Sequence, residues 1–347
     1  MSRVFVAGIG AVSPAGWNVA ALRDALNRDE PLPCQSLARP GAGPPLRARL
    51  VPGSAGRPEF LAHPRLRRSS PVTHYAAAAA LEAVAAFRAQ AGTGHPRLGL
   101  VSCLQSGCVQ YSCRFYDETL RNPATASPLV FPETVYAAPA SHVAALLDNV
   151  ALAYSLVGDS SVFLQGVALG AGWLCEHRVD ACLVLGAEEA SWIIADALRW
   201  LNRQAVAAAG AGALCLCRDE RFSAGVELAA ITDAQTYTAR RPKAQAVQAM
   251  REQLGEGLRA GLLVDGAGIS PRSDAAERGA WSDWGGARIS PRRILGDGMM
   301  AAAAWQCVAA CDAISSGKFA GAYVSLAGSN HQAIGARFER AGAAAED

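Results

Sequence analysis

The sequence is short of charged side chains and of any excess of one charge. Lys, Arg, Asp and Glu make up 18% of its 347 residues, whereas hydrophobic residues make up 51%. This composition excludes an intrinsically disordered chain, and the length suits about two ordinary globular domains. The 32 basic and 30 acidic residues leave a net charge of +2. No overall field therefore favours nucleic acid or an anionic membrane surface as a partner.

The sequence also lacks the patterns of zinc sites, disulfide scaffolds and membrane anchors. None of its ten cysteines belongs to a Cys-x-x-Cys pair followed by a second pair or by histidine at ligand spacing. The apolar stretch at residues 4–12 is broken by Gly8 and Gly10, and it is too short for a membrane span or a signal peptide. These absences predict a cytoplasmic protein without metal, cofactor or membrane span, in which most cysteines are small buried hydrophobic side chains.

Hydrophobic runs and glycine or proline turns predict alternating strands and helices. In the first half, strands are predicted at 3–10, 98–103, 151–157 and 180–185, and helices at 19–26, 74–89, 141–147 (capped by Ser141) and 161–177. In the second half, the prediction is paired strands at 212–218 and 225–232, a helix at 243–260, a strand at 262–265, a helix at 299–315 and a last strand at 321–327. This alternation indicates an α/β fold in which helices pack on sheets.

Four segments in register resemble the β-ketoacyl synthases of the thiolase superfamily. They lie at residues 6–14 (VAGIGAVSP), 178–188 (RVDACLVLGAE), 210–214 (GAGAL) and 328–330 (GSN). They resemble the family's opening strand and loop, the strand after its nucleophile helix, the glycine-rich segment that opens its second half, and its final turn. The resemblance implies a thiolase-like layered αβαβα fold with two pseudo-related halves, residues 1–220 and 221–347, in one compact unit.

The resemblance also implies where the family's catalytic residues fall in this sequence. The nucleophilic cysteine position is Ser160, or Asp159 in the alternative register, and the two histidine positions are Gly266 and Asp297. A serine needs an adjacent base to act as a nucleophile, and glycine offers no side chain. An ionised aspartate repels a malonyl carboxylate and an enolate. The sequence therefore predicts a ketosynthase scaffold that does not carry out condensation.

Further residues are expected around the same pocket. The family's lysine position keeps a positive charge as Arg292, and the phenylalanine position of its final turn holds Leu326. The implied pocket-lining residues are Asp159, Phe163, Asp265, Arg292, Leu326, Asn330 and His331. Phe163 lies at helical spacing with Leu164 and Val167, which favours a place in the core over a place in an acyl tunnel.

Ser160 allows two interpretations. It is either an acyl-accepting nucleophile at a strand-to-helix turn, with His142 or His331 as the candidate base, or a helix cap, a role that Asp159 also suits.

Asp265 likewise allows two interpretations. It either forms a carboxylate pair with Asp297 that carries out acid and base chemistry, or it pairs with an arginine, Arg272 or Arg292.

The family resemblance implies a non-condensing subunit similar to chain-length factors. Such a subunit pairs with an active β-ketoacyl synthase in fatty acid or polyketide (polyene-type) biosynthesis and shapes the acyl tunnel. The strand at 151–157 matches the family's dimer strand. The run of Arg65, Arg67 and Arg68 either receives the acidic face of an acyl carrier protein or is simply a solvated loop. One alternative is a serine-dependent acyltransferase or thioester hydrolase that uses Ser160 on acyl-carrier-bound substrates. Another is a homodimer that binds an acyl or polyketide chain without a partner synthase.

Overall fold

The computed structural model describes residues 3–41, 43–53, 56–92, 94–255, 261–329 and 331–342. Its helices are α1 (Val19–Arg28), α2 (Pro71–Ala91), α3 (Val109–Arg121), α4 (Ala138–Leu147), α5 (Val162–Cys175), α6 (Trp192–Leu201), α7 (Lys243–Leu254), α8 (Pro271–Ala280), α9 (Pro291–Leu295) and α10 (Met300–Ser315). Its strands are β1 (Phe5–Val12), β2 (Gln35–Leu37), β3 (Leu46–Arg49), β4 (Leu98–Leu104), β5 (Val150–Val157), β6 (Ala181–Glu188), β7 (Ala207–Ala208), β8 (Gly210–Cys217), β9 (Val226–Ile231), β10 (Gln235–Thr236), β11 (Leu262–Val264), β12 (Ala287–Ile289), β13 (Gly321–Ala327) and β14 (Gln332–Arg340).

The strands form two five-stranded arrangements with the same order. In the first, β1 and β8 are antiparallel, β8 and β6 are antiparallel, and β6, β4 and β5 are parallel. In the second, β9 and β14 are antiparallel, β14 and β13 are antiparallel, and β13, β11 and β12 are parallel. A short pairing of β1 with β9 joins the two arrangements into one continuous sheet. This repetition confirms the prediction of an α/β fold with two pseudo-related halves.

Helices cover both arrangements and fill the space between them. On the first, α2 packs against β1, β8 and β6 and also contacts α4. Between the two lie α5, which contacts β4 and β6, and α10, which contacts β6 and β8 on one side and β11 and β13 on the other. On the second, α7 packs against β13 and β14 and contacts α8. The predicted αβαβα layering is thereby confirmed. The chain passes from β8 to β9 through residues 218–225, and a division at 220/221 remains our proposal.

Small side chains allow the central layers to approach closely. A Cβ atom on Gly10 would lie 2.0 Å from the backbone oxygen of Ala79 on α2. On the other side of the sheet, a Cβ atom on Gly212 would lie 2.7 Å from the Cβ atom of Ala304 on α10, and one on Gly186 would lie 2.9 Å from the same atom. Glycine in the strands and alanine in the helices are therefore required by the packing, because larger side chains have no space there.

Trp305 fixes the position of α10 within this packing. Its indole Nε1 donates hydrogen bonds to the backbone oxygens of Val12, at 2.9 Å, and Ala211, at 3.0 Å. The side chain is fully buried. Val12 is the last residue of β1 and Ala211 is the second residue of β8. The helix is therefore held by directional hydrogen bonds as well as by apolar contact.

The structure corrects two strand predictions. The strand at 321–327 is not the last, because β14 follows it and pairs with β13 along its length. The strands predicted at 212–218 and 225–232 form, as β8 and β9, but they do not pair with each other. Instead β8 lies between β1 and β6, whereas β9 pairs with β14 and briefly with β1.

Helix predictions are corrected at several points. Ser141 does not cap α4, which begins at Ala138 with a proline in its first turn, where the missing N–H is of no consequence. The helix predicted at 243–260 ends at Leu254, before Gly255 with φ 75°, and residues 256–260 lie outside the described residues. No helix was predicted where α3 and α6 lie, and almost none of the residues in these two helices is buried.

Seven cysteines are buried as small hydrophobic side chains, and burial raises the thiol pKa of each one: Cys103, Cys108, Cys182, Cys215, Cys217, Cys307 and Cys311. Within the described ranges, no helix is both long and apolar enough to cross a membrane.

The close approach of α10 to β8 predicts a large effect of one added methyl group. Gly212→Ala should lower the free energy of unfolding by about 1–3 kcal/mol, because the methyl overlaps Ala304. Gly172→Ala is the matched control, since nothing lies within 4 Å of its Cβ position in α5 and alanine is the better helix former. It should raise that free energy by about 0.5–1 kcal/mol. Urea unfolding measures both, and equal stability of the two variants would contradict the packing described.

Candidate functional site

The turn between β5 and α5 carries the predicted nucleophile position. Ser160 is 5% exposed and its neighbour Asp159 is 1% exposed. Asp159 Oδ1 accepts the backbone N–H of Ser161 at 3.2 Å, so Asp159 orders the turn that leads into the helix. Within the described ranges, no side chain hydrogen-bonds to the Ser160 hydroxyl.

The loop before α10 contains the same kind of turn. Asp297 Oδ1 accepts the backbone N–H of Met299 at 3.1 Å, two residues further along the chain. Asp297 is 5% exposed, and Met299 adopts a positive φ of 47°. The two central helices therefore begin after equivalent aspartate-centred turns, one in each half of the fold.

The final turn closes against Asp159. A Cβ atom on Gly328 would lie 2.3 Å from Asp159 Oδ2, so only glycine leaves room for the carboxylate. Tyr237 Oη donates a hydrogen bond of 2.6 Å to the backbone oxygen of Gly328. Burial raises the pKa of Tyr237, and the Asp159 carboxylate raises it further. Tyr237 thus remains a neutral donor that fixes this turn.

A cavity of about 680 Å³ opens beside the final turn. It is lined by both predicted histidine positions, Gly266 and Asp297, and by Arg292 at the predicted lysine position. The structure therefore brings these three positions to one pocket. The other polar side chains that line it include Lys243, Arg272, Asp274, Glu277, Asn202 and Arg203.

Glu277 is the buried acid of this cavity. Ser325 Oγ donates to Glu277 Oε1 at 2.5 Å, and the backbone N–H of Gly266 also donates to this carboxylate. A Cβ atom on Gly266 would lie 3.3 Å from Glu277 Oε2, so the absent side chain leaves the carboxylate open to the cavity. Burial raises the pKa of Glu277 to about 7, and Asp265 contributes to the rise. A carboxyl group with this pKa exchanges a proton near neutral pH.

The sequence interpretation missed Glu277. The spacing of residues in α8 could have identified it. Asp274, Glu277 and Ala280 recur every three residues after the N-cap residue Ser270, so they lie on one buried face of the helix.

Arg292 and Asp297 form a buried ion pair. Arg292 Nε lies 3.6 Å from Asp297 Oδ1, and both side chains are less than a tenth exposed. The distance is too long for a hydrogen bond, and Arg292 Nε has no hydrogen-bond partner among the described residues. The guanidinium therefore retains donor capacity toward the cavity, while Asp297 carries its compensating charge.

One interpretation of the sequence paired Asp265 with Arg272 or Arg292. The structure pairs it with Arg288 instead. Its Oδ2 lies 3.5 Å from Arg288 Nε, and its Oδ1 accepts hydrogen bonds from Ser290 Oγ at 2.5 Å and from the backbone N–H of Ala267 at 3.1 Å. Burial raises its pKa. The contact between Asp265 and Arg288 follows from the parallel pairing of β11 with β12, which places Arg288 opposite Leu263, two residues before Asp265.

The remaining predicted pocket residues are spread out. Phe163 and Leu326 are buried in the hydrophobic core, where Phe163 also contacts the Gly186 position of β6. His331 is exposed, and Asn330 lies outside the described residues.

Neither candidate base contacts the predicted nucleophile. His142 Nε2 lies 2.8 Å from Glu133 Oε1 in an ion-pair geometry, and no hydrogen bond links His142 or His331 to Ser160 in the ranges described. Among the described residues, no group of three or more His, Cys, Asp or Glu side chains could hold a metal ion.

Solved structures with the same fold include ketosynthases and ketosynthase complexes with a chain length factor or an acyl carrier protein. The ishigamide ketosynthase/chain length factor matches with a TM-score of 0.81 and 18% identity over 98% of this chain and 100% of that one. A type II polyketide synthase acyl carrier protein in complex with its ketosynthase, bound to the hexaketide, matches with a TM-score of 0.81 and 16% identity. The match covers 98% of this chain and 99% of that one. A ketosynthase in complex with its chain length factor from Xenorhabdus doucetiae matches with a TM-score of 0.75 and 14% identity, over 98% of both chains.

These likenesses define the fold class. The chain has the mixed α/β, thiolase-like fold of ketosynthases over nearly its whole length. No protein-family model and no curated protein sequence matches it.

The burial of Glu277 predicts a pH-dependent stability. Because its pKa rises from an ordinary 4.5 to about 7 on folding, the folded state holds an extra proton between these values. That stabilisation is complete below about pH 4.5 and is lost as the pH rises through 7. Relative to Glu277→Gln, the native protein should lose about 1–3 kcal/mol of unfolding free energy between pH 5 and pH 8.

Urea titrations of both proteins at the two pH values provide the measurement, with the exposed Glu252→Gln as the control for the substitution itself. A stability difference between native protein and Glu277→Gln that does not change with pH would show that this carboxyl group ionises as freely in the folded state as in the unfolded state.

Proposed function

We propose that the protein is a non-condensing ketosynthase-like subunit that pairs with an active β-ketoacyl synthase and shapes its acyl tunnel. The observation that carries the proposal is a ketosynthase fold in which the three positions expected to be catalytic hold Ser160, Gly266 and Asp297. The assembly would act in fatty acid or polyketide (polyene-type) biosynthesis. One of the matched structures contains a ketosynthase with its chain length factor, which is the arrangement proposed for this chain.

The chemistry of the three positions supports the absence of condensation. Without a base in hydrogen-bond reach, the Ser160 hydroxyl remains protonated and is a poor nucleophile. Gly266 offers no donor for an enolate oxygen. Asp297 is paired with Arg292, and its negative charge disfavours an anionic malonyl group beside it. Each defect alone weakens condensation, and together they remove nucleophile, donor and charge complementarity.

An exposed edge strand supports a permanent partner. In the described part of the chain, β5 pairs with β4 on one side only. Tyr154 is 51% exposed and Val157 is 54% exposed on this strand. The segment between β4 and β5 exposes further large apolar side chains: Tyr116, Leu120, Leu129 and Phe131. An unpaired edge beside apolar surface suits a partner of the same fold that continues the sheet.

A basic surface suits an acyl carrier protein as a second partner. The side chains of Arg65, Arg67 and Arg68 are exposed, and none forms an ion pair within the described ranges. Unpaired arginines attract an acidic partner and steer its approach. A carrier protein bound to its ketosynthase occurs in another matched structure.

The heterodimer is tested by co-expression with a ketosynthase encoded beside this chain. We expect a stable one-to-one complex by size-exclusion chromatography with light scattering. The double variant Tyr154→Arg and Val157→Arg should weaken it at least about tenfold, because it places charge in an apolar interface. Glu252→Arg, on the outer helix α7 of the other half, is the control and should leave the complex intact. A homodimer alone, despite the partner's presence, would contradict the proposal.

Ser160 gives a second test. After incubation with acyl thioesters, intact-protein mass spectrometry should find no acyl adduct, and Ser160→Ala should behave as the native protein does. A covalent adduct on Ser160 together with thioester turnover would instead support a serine-dependent acyltransferase or hydrolase.

A further inference from the structure

Lysine is nearly absent from this chain, and one of its lysines lines the cavity. Of the 32 basic residues, 30 are arginine and only Lys243 and Lys318 are lysine. Lys318 is exposed, and its Nζ donates to Asn27 Oδ1 at 3.1 Å. Lys243 begins α7 and is partly buried. The chain thus uses arginine almost wherever a positive charge is needed, but it places a primary amine beside the cavity.

The contacts of Lys243 leave its amine available. Nζ donates one hydrogen bond, of 3.2 Å, to the backbone oxygen of Ala327, and it lies 5.8 Å from the centre of the Tyr237 ring. Among the described residues, no carboxylate lies within 4 Å of Nζ. An amine with one acceptor and no salt bridge keeps two N–H positions, or a lone pair, for a ligand.

The surroundings of Lys243 act on its charge in opposite directions. Burial lowers its pKa, and the Arg292 guanidinium lowers it further. Three carboxylates raise it in part, those of Glu277, Asp159 and Asp274. A buried lysine beside another cation is a known way to obtain a nucleophilic amine.

We propose that Lys243 is a nucleophilic amine that captures the ketone of a β-ketoacyl chain as an imine. That the ketone belongs to a β-ketoacyl chain rests on the proposed function, whereas the capture of a ketone does not. A fixed cation for an anionic ligand would be served as well by arginine, which this chain otherwise prefers. Only a primary amine forms an imine, and lysine is the residue that forms Schiff bases with carbonyl compounds.

The proposed step is balanced without an oxidant or a reductant. The Nζ lone pair attacks the ketone carbon, a C–N bond forms, and the oxygen takes the proton released by nitrogen to give a carbinolamine. The C–O bond then breaks and the oxygen leaves as water, with its second proton supplied by the protonated carboxyl of Glu277. The products are water, the protonated imine and the Glu277 carboxylate, which takes the remaining N–H proton to give the neutral imine. Addition of water reverses both steps and returns the free amine.

Glu277 and Gly266 suit this chemistry. Glu277 lines the same cavity and has a pKa of about 7, so it both donates and accepts a proton near neutral pH. Gly266 leaves the space in front of this carboxyl unfilled, and the cavity volume of about 680 Å³ accommodates a small acyl group.

Reductive trapping tests the proposal on the purified chain. We use the acetoacetyl thioester of N-acetylcysteamine with sodium cyanoborohydride at pH 7, followed by peptide mapping. We expect at least about fivefold more reduced adduct on Lys243 than on Lys318, because burial and the Arg292 guanidinium lower the pKa of Lys243 and so leave more free amine there. Lys243→Arg should abolish the cavity adduct, and Lys318→Arg should leave it unchanged.

The comparison of two lysines within one native chain needs no variant, so a folding defect in Lys243→Arg does not affect it. Equal labelling of Lys243 and Lys318 would overturn the proposal. So would an adduct on Lys243 that has lost N-acetylcysteamine, or an adduct that forms with the butyryl thioester, since each of these is an amide from acyl transfer. The absence of a ketosynthase complex would contradict the proposed function alone, because trapping uses the isolated chain.

Discussion

Close packing of α10 between the two halves is the constraint on which the rest of the structure depends. Fifteen of its residues, 300–314, are buried, and glycines on β6 and β8 admit its alanines at near-contact distance. A Cβ atom on Gly298 would lie 2.8 Å from the Trp305 ring, so the loop that carries Asp297 is fixed by the same contacts. The high hydrophobic and low charged content follows from this architecture, because a layer covered on both faces has little surface for charge.

The cavity keeps polar groups although the expected catalytic residues are missing. Glu277, Arg292, Asp297 and Lys243 surround it, and their mutual attraction compensates for much of the cost of burying them. The pocket at the predicted histidine positions is thus polar. Buried charges of this kind are costly unless they are paired, and a cluster of them in a cavity is typical of sites that bind polar ligands.

The sequence predicted the fold well where apolar runs are continuous. The strand at 321–327 and the start of the central helix near residue 300 agree with β13 and α10 because both are buried on all sides. The sequence did not predict α3 and α6, whose apolar faces are exposed. It also did not predict the ion-pair partner of Asp265, because Arg288 reaches Asp265 only through the pairing of two strands. Short-range patterns report burial and turns, whereas ion pairs between distant segments follow from topology.

The equivalent turns at Asp159 and Asp297 have a consequence for the symmetry of the molecule. Each is an aspartate that accepts the N–H two residues onward, and each precedes a central helix of its half. Here the two helices begin with the same structural device. The correspondence between the two halves therefore extends from the order of their strands to the turns that begin their central helices.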